Sequence, residues 1–142
     1  MEAPPREGTG EARRAKAQAI RDEVLSRWPK VNVDLSIKPD AWGGTYWYLD
    51  SIVVPKGERS RGVGSEVMRF LTEKADQGGV TMTLTPRTDF GATSVPRLRR
   101  FYGRFGFKRN LGRNADSALT GAMIRRPARA AAGGGGGSGP TA

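Results

Sequence analysis

Ile52-Val53-Val54-Pro55-Lys56-Gly57-Glu58-Arg59-Ser60-Arg61-Gly62-Val63-Gly64-Ser65-Glu66-Val67-Met68 is the stretch on which the fold turns. It opens on β-branched residues that suit a strand and is stopped by Pro55. A basic, glycine-rich loop follows. The chain then takes up a helical pattern over residues 65–75, with Val67, Met68, Leu71 and Ala75 on its apolar face. A strand, a glycine loop and a helix start, in that order, aim several backbone N–H groups at one place. The helix start adds about half a positive charge there, and Arg59 and Arg61 add two full charges. Such a junction is an anion site suited to phosphate.

Two familiar phosphate loops are excluded by spacing. Gly57 and Gly62 have the gap of a Walker loop, but Val63-Gly64 stands where Lys and Ser or Thr are required. A dinucleotide fingerprint needs a further glycine three residues after Gly64, where Val67 stands. What remains is Arg-x-x-Gly-x-Gly at Arg59, Gly62 and Gly64.

Upstream of the junction, residues 11–28 predict a helix. Ala15, Ala19 or Ile20, Val24 and Trp28 recur at helical spacing, and Pro29 ends it. Val31, Val33, Leu35 and Ile37 alternate with polar residues as a half-buried strand. Residues 39–45, with Gly43-Gly44, read as a turn, and residues 46–54 as the second strand of a hairpin. Downstream, Gly78-Gly79 closes the helix, and residues 80–85 form a strand parallel to the one before the junction. Ser94 caps a short helix through Leu98, Phe101 and Tyr102. Strands begin at Phe107 and over residues 121–126, joined by residues 111–117. The pattern is α/β with a mixed sheet. Residues 1–10 and 128–142, the latter with five consecutive glycines, read as a disordered start and a flexible tail.

Composition narrows the chemistry. The 142 residues contain no cysteine and no histidine, which removes disulfides, thiolate and imidazole metal sites, a Cys nucleophile and any His base. No metal is expected. The net charge is +10, which suits an anionic partner without naming one. Fourteen basic and nine acidic residues lie in residues 31–124, and Arg125, Arg126 and Arg129 face no acid in the tail, where they read as solvated. No apolar run approaches the ~20 residues of a membrane helix. A soluble, cytoplasmic protein is the expectation.

The Arg59–Gly62–Gly64 pattern after Val53-Val54-Pro55 resembles the pyrophosphate motif of the GNAT superfamily of acetyl-CoA-dependent N-acetyltransferases, Q/R-x-x-G-x-G/A after a strand. Leu98 to Phe107 is similar to that family's last-helix signature, an aromatic-Tyr pair followed by Gly-Phe, and Met123-Ile124-Arg125-Arg126-Pro127 to its final strand. More narrowly, residues 50–110 look like the small domains carried by bacteriophages and mobile elements, which implies a bacterial or phage-infected host cell. The resemblance covers about residues 31–127, with residues 11–127 expected as the domain. It departs at the front, where one helix replaces the family's usual strand and two helices, and Ser94 stands near a place the family usually gives to Asn.

The resemblance implies a mostly antiparallel sheet flanked by helices, with a shortened N-terminal part. It implies acetyl-CoA as co-substrate, with Ile52, Val53 and Val54 along the pantetheine arm and Arg59, Ser60, Arg61, Gly62, Val63, Gly64 and Ser65 around the pyrophosphate. Tyr102 then becomes the acid for the leaving thiolate; on periodicity alone it is a core aromatic beside Phe101, Phe105 and Phe107. Asp50 becomes the base, although it also reads as a solvated strand residue, and a water chain is the alternative. The partner is a primary amine of a protein or small molecule, with no membrane and a monomer or homodimer. A basic nucleic-acid-binding or interaction module on a degenerate fold is the competing reading. It lacks a base-reading motif. Trp28, Tyr46, Trp47 and Tyr48 fit either core or acceptor wall. Glu58 and Glu66 read as surface charges, and Arg97, Arg99, Arg100 and Arg104 as a solvated helix face with a lesser option of contacting the CoA 3′-phosphate or an acidic acceptor.

Overall fold

The computed structural model describes residues 10–55, 57, 61–87, 94–112, 115–116 and 118–128. The two expected ends lie outside the described residues apart from Gly10 and Ala128. Helix α1 (Gly10–Arg27) buries Ala17, Ile20 and Val24, a stripe at helical spacing that faces the sheet. Ala15 and Ala19, expected on that stripe, are exposed. Trp28 follows the helix and meets the Phe70 ring edge-on at 5.8 Å.

Strands β1 (Asn32–Pro39) and β2 (Thr45–Val53) form the antiparallel hairpin expected from their alternation. Pro39 lies in the strand rather than the turn, paired with Thr45. It is tolerated because β1 is the sheet edge, where a missing N–H interrupts no ladder. The turn is held by Asp40, whose Oδ1 accepts from the amides of Trp42 and Gly44, each at 2.8 Å.

Helix α2 (Val63–Gly78) is longer at both ends than its apolar stripe suggests. It leads to β3 (Met82–Leu84), parallel to β2. Helix α3 (Val95–Gly103) starts at Ser94, whose Oγ accepts from the Arg97 amide at 3.2 Å. Strands β4 (Lys108–Arg109) and β5 (Met123–Arg125) complete a five-stranded sheet in the order β1-β2-β3-β5-β4. Three of its four pairings are antiparallel. The fold is thus mixed α/β, with three helices against a mostly antiparallel sheet, and no strand precedes α1 among the described residues.

The main core joins Val24, Leu35, Trp47, Met68, Leu71, Met82 and Leu84, with Phe101, Tyr102 and Phe105 of the α3 region packed against it. A smaller cluster joins Tyr46, Leu119 and Ile124, with Tyr48 beside it. Tyr46 and Trp47 are both buried because adjacent strand residues point to opposite faces and both faces are covered. Asn110 organises the cover over the smaller cluster: its Nδ2 donates to the carbonyls of Asp116 and Gly121, and its Oδ1 accepts from the Asp116 amide. The Thr120 amide donates to the Tyr46 hydroxyl at 3.2 Å.

One arginine corrects the sequence reading. Arg125, grouped there with the solvated tail, is bound bidentately by Asp76 of α2 at 2.8 and 2.9 Å and donates from Nε to the Phe105 carbonyl at 2.6 Å. Its side chain is only 10% exposed. The amide of Ala128 also donates to Asp76, at 2.8 Å. Burial pushes the Asp76 carboxyl up, but the Arg125 hydrogen bond, the Ala128 amide and the Arg125 charge together outweigh it and hold the group below its ordinary value.

Candidate active site

Strands β2 and β3 pair only through Trp47, Tyr48 and Leu49 opposite Met82, Thr83 and Leu84. Residues 50–53 continue β2 with β1 on one side and, among the described residues, no strand on the β3 side. The sheet therefore opens along the backbone of Ile52 and Val53. Asp50 sits where it begins to open. Asp34 is opposite Ser51 and Leu35 opposite Leu49, so Asp50 is the extra residue of a β-bulge. Its Oδ2 accepts from Ser36 Oγ at 2.9 Å.

The start of α2 meets the end of this opening. A Cβ added to Gly64 would stand 3.6 Å from Phe101 Cζ and 3.8 Å from Val54 Cγ2, so β2, α2 and α3 converge there. Gly62 is the N-cap, at φ +78°, a conformation that favours glycine. Among the described residues no side chain caps the helix. Its first backbone bond runs from the Glu66 amide to the Gly62 carbonyl at 3.1 Å, so the amides of Val63, Gly64 and Ser65 have no acceptor within the helix. Among the described residues, nothing lies within 4 Å of where a Cβ of Gly62 would be. Arg61 is exposed beside this start. Arg59, Ser60 and Glu58 lie outside the described residues.

Tyr102 follows Phe101 on α3. Its ring meets Phe101 at 5.2 Å and Phe107 at 6.0 Å, both edge-on. Burial raises its pKa above the ordinary 10.0. The phenol is therefore a proton donor across neutral pH. No hydrogen bond joins Asp50 to Tyr102: Asp50 bonds toward β1, while Tyr102 lies among aromatic rings.

A family model matches residues 33–107. The chain belongs to the acetyltransferase (GNAT) family. The match runs from within β1 to just before β4 and includes the whole β2–α2–β3 unit and α3. Among solved structures, this GNAT chain is similar to a protein described as histone acetyltransferase HPA2 and related acetyltransferase from Corynebacterium glutamicum. The two are 18% identical over 89% of this chain and 80% of that one, with a TM-score of 0.40. No curated protein matches the sequence.

Within this family member, the cap expected at Ser94 is present, and residues that the sequence left between two readings take one of them. Ser94 uses its hydroxyl as the α3 cap. Glu66 is exposed, yet its Oε1 accepts from Trp28 Nε1 at 3.1 Å, joining α1 to the first turn of α2. Trp47 and Tyr46 are core, whereas Trp28 and Tyr48 are half-buried. The bulge at Asp50 and the wedge of Phe101 against Gly64 have no signal in the sequence, because each is a register or contact between distant segments.

Proposed function

We propose that the chain is an acetyl-CoA-dependent N-acetyltransferase that passes acetyl directly to a primary amine, with residues 11–127 as the active unit. The reading is carried by the meeting at Gly64 of helix amides with no acceptor in the helix, the end of β2 that has left β3, and α3 with its half-buried tyrosine. The residues present fit the co-substrate. The amides of Gly62, Val63, Gly64 and Ser65 would hold the pyrophosphate, with Arg59, Ser60 and Arg61 beside them. The backbone of Ile52, Val53 and Val54 would bond the amide-bearing pantetheine arm.

Acetyl-CoA supplies an acyl carbon activated by a thiolate leaving group. Asp50, alone or through water, would take a proton from the acceptor ammonium, so that the nitrogen lone pair can attack that carbon. The Ser36 bond orients its carboxylate. Tyr102 would give its phenolic proton to sulfur as the carbon–sulfur bond breaks. Acid–base help of this kind supplies ~10²–10⁴-fold, and alignment of the reactants up to ~7–11 kcal/mol. An acyl-cysteine route has no residue to run on, since the chain has no cysteine.

Calorimetric titration with acetyl-CoA tests the reading at its base: saturable heat is expected, and its absence defeats the assignment. Tyr102→Phe tests the acid. Turnover on a responsive amine is expected to fall by about 10²-fold or more, with acetyl-CoA binding retained. The phenol loses its proton only as pH rises through a value above 10.0, so the parent's alkaline limb lies there and the Phe variant lacks it. Equal rates at every pH remove Tyr102 from the role.

A further inference from the structure

The sheet has a second face, turned away from the main core. Leu35 and Ile37 point into that core, so Ser36 and Lys38 stand on the other side. The register sets Ser36 opposite Tyr48 and Lys38 opposite Tyr46. Residues 119–122 cover part of this face: the Thr120 amide donates to the Tyr46 hydroxyl and the Ala122 amide to Thr85 Oγ1, each at 3.2 Å. Beside that cover, Ser36, Lys38, Tyr48, Asp50 and Thr85 form a half-buried polar shelf. Its side chains are held in place. The Tyr48 hydroxyl donates to Thr85 Oγ1 at 3.4 Å, and Lys38 Nζ lies 5.5 Å from the Tyr48 ring centroid, a cation–π contact. Ser36 holds Asp50 at 2.9 Å. Among the described residues Lys38 forms no ion pair. Asp40, the next residue on its face, keeps Oδ1 on the amides of Trp42 and Gly44.

We infer that this shelf receives the acceptor and that Lys38 makes the protein select amines that carry a carboxylate, the ω-amino acid class, over plain alkylamines and diamines. The inference rests on the reading of Asp50 as the base. Two residues of strand, about 7 Å, separate Lys38 from Ser36, and Ser36 holds Asp50. An ammonium brought to Asp50 therefore has a lone cation about 7 Å away, with the Tyr48 ring between them. The ring suits a chain of methylenes, and the cation suits a negative group at its far end. A carboxylate fits better than a phosphomonoester. One ammonium balances one charge, whereas about −1.5 to −2 would stand against Asp34, Asp40 and Asp50 on the same face. A diamine would set its second ammonium against Lys38.

The experiment measures acetyl transfer by the full chain from acetyl-CoA to 6-aminohexanoate, hexylamine and 1,6-diaminohexane. The amino acid is expected to exceed both amines in kcat/KM by about fivefold to tenfold, the gain lying in the acceptor KM. Lys38→Met should bring the amino acid and hexylamine to one value, and Lys38→Arg should restore the preference. Lys30→Met removes the same charge from an exposed site elsewhere and should leave the preference intact. A folding defect would lower all acceptors together. Equal use of the three acceptors by the parent overturns the assignment and leaves the acetyltransferase reading standing. So does a preference that survives Lys38→Met, or a preference for the diamine, which would mean that the acids of this face do the selecting. Calorimetric binding of acetyl-CoA with transfer to none of the three overturns the acceptor class alone. Absence of acetyl-CoA binding overturns both readings.

Discussion

The two ends of α2 are built from the same residue in the same conformation and are finished in opposite ways. At the C-terminal end Gly79 adopts φ +66° and its amide donates back to the carbonyls of Ala75 and Asp76. The Asp76 side chain there is closed off by Arg125 and the Ala128 amide. At the N-terminal end Gly62 adopts φ +78°, and among the described residues no side chain caps the helix and nothing lies within 4 Å of where its Cβ would be. A helix start exposes donors that must be met by something. One end of α2 is met by the chain itself; the other is left with amides that a bound anion can meet. The contrast separates the end that holds the fold from the end that, in the proposed function, would serve the ligand.

Gly62→Trp should break the contrast most strongly. A bulky residue forced into the left-handed region costs about 1–2 kcal/mol. It also fills the space before the amides. The loss of two charge-assisted hydrogen bonds, at about 1.5–3 kcal/mol each, weakens acetyl-CoA by about a hundredfold or more. Calorimetry reads the binding and thermal melting the stability. A variant that melts lower yet binds acetyl-CoA as tightly as the parent removes the open end from the ligand site.

Arg125→Met acts on the closed end. Leaving Asp76 without its bidentate partner should cost about 2–3 kcal/mol in urea unfolding, while the native protein keeps its acetyl-CoA affinity. The effect carries a pH signature. The folded Asp76 pKa lies below its ordinary 3.8, so its stabilisation is fully present above that value and fades as pH falls through the lower folded one. The gap between parent and variant should therefore be wide at neutral pH and should narrow as the pH falls below 3.8 and through the lower folded value. A gap that is constant with pH shows that the ion pair is not its source.

The smallest effect compares the glycines directly. Gly79→Ala and Gly62→Ala should each lower stability by about 1 kcal/mol, because both sit at positive φ. Only Gly62→Ala should also weaken acetyl-CoA. Equal binding by the two variants would falsify the division of α2 into a structural and a ligand-facing end.

Much of this was legible in the chain because it is local. The alternation of Val33, Leu35 and Ile37, the stop at Pro55, the Ser94 cap and the Gly79 closure each rest on short-range sterics and hydrogen bonding. The Arg59–Gly62–Gly64 spacing marked the helix start for the same reason. In the α1 stripe Ile20 and Val24 are buried as expected, and only the first position was misplaced, at Ala15 instead of Ala17, because alanines at neighbouring positions give little contrast to a periodicity.

Local chemistry in the sequence thus determined the order of elements, the family pattern and the glycine-led start of α2. Tertiary structure decided the rest: the parting of β2 from β3 after Leu49, the bulge that sets Asp50 apart, the capture of Arg125 by Asp76, and the approach of the Phe101 ring to Gly64 at the start of α2. Each depends on segments tens of residues apart arriving at one place. Register and packing are settled by the whole core, and no window of sequence contains both partners.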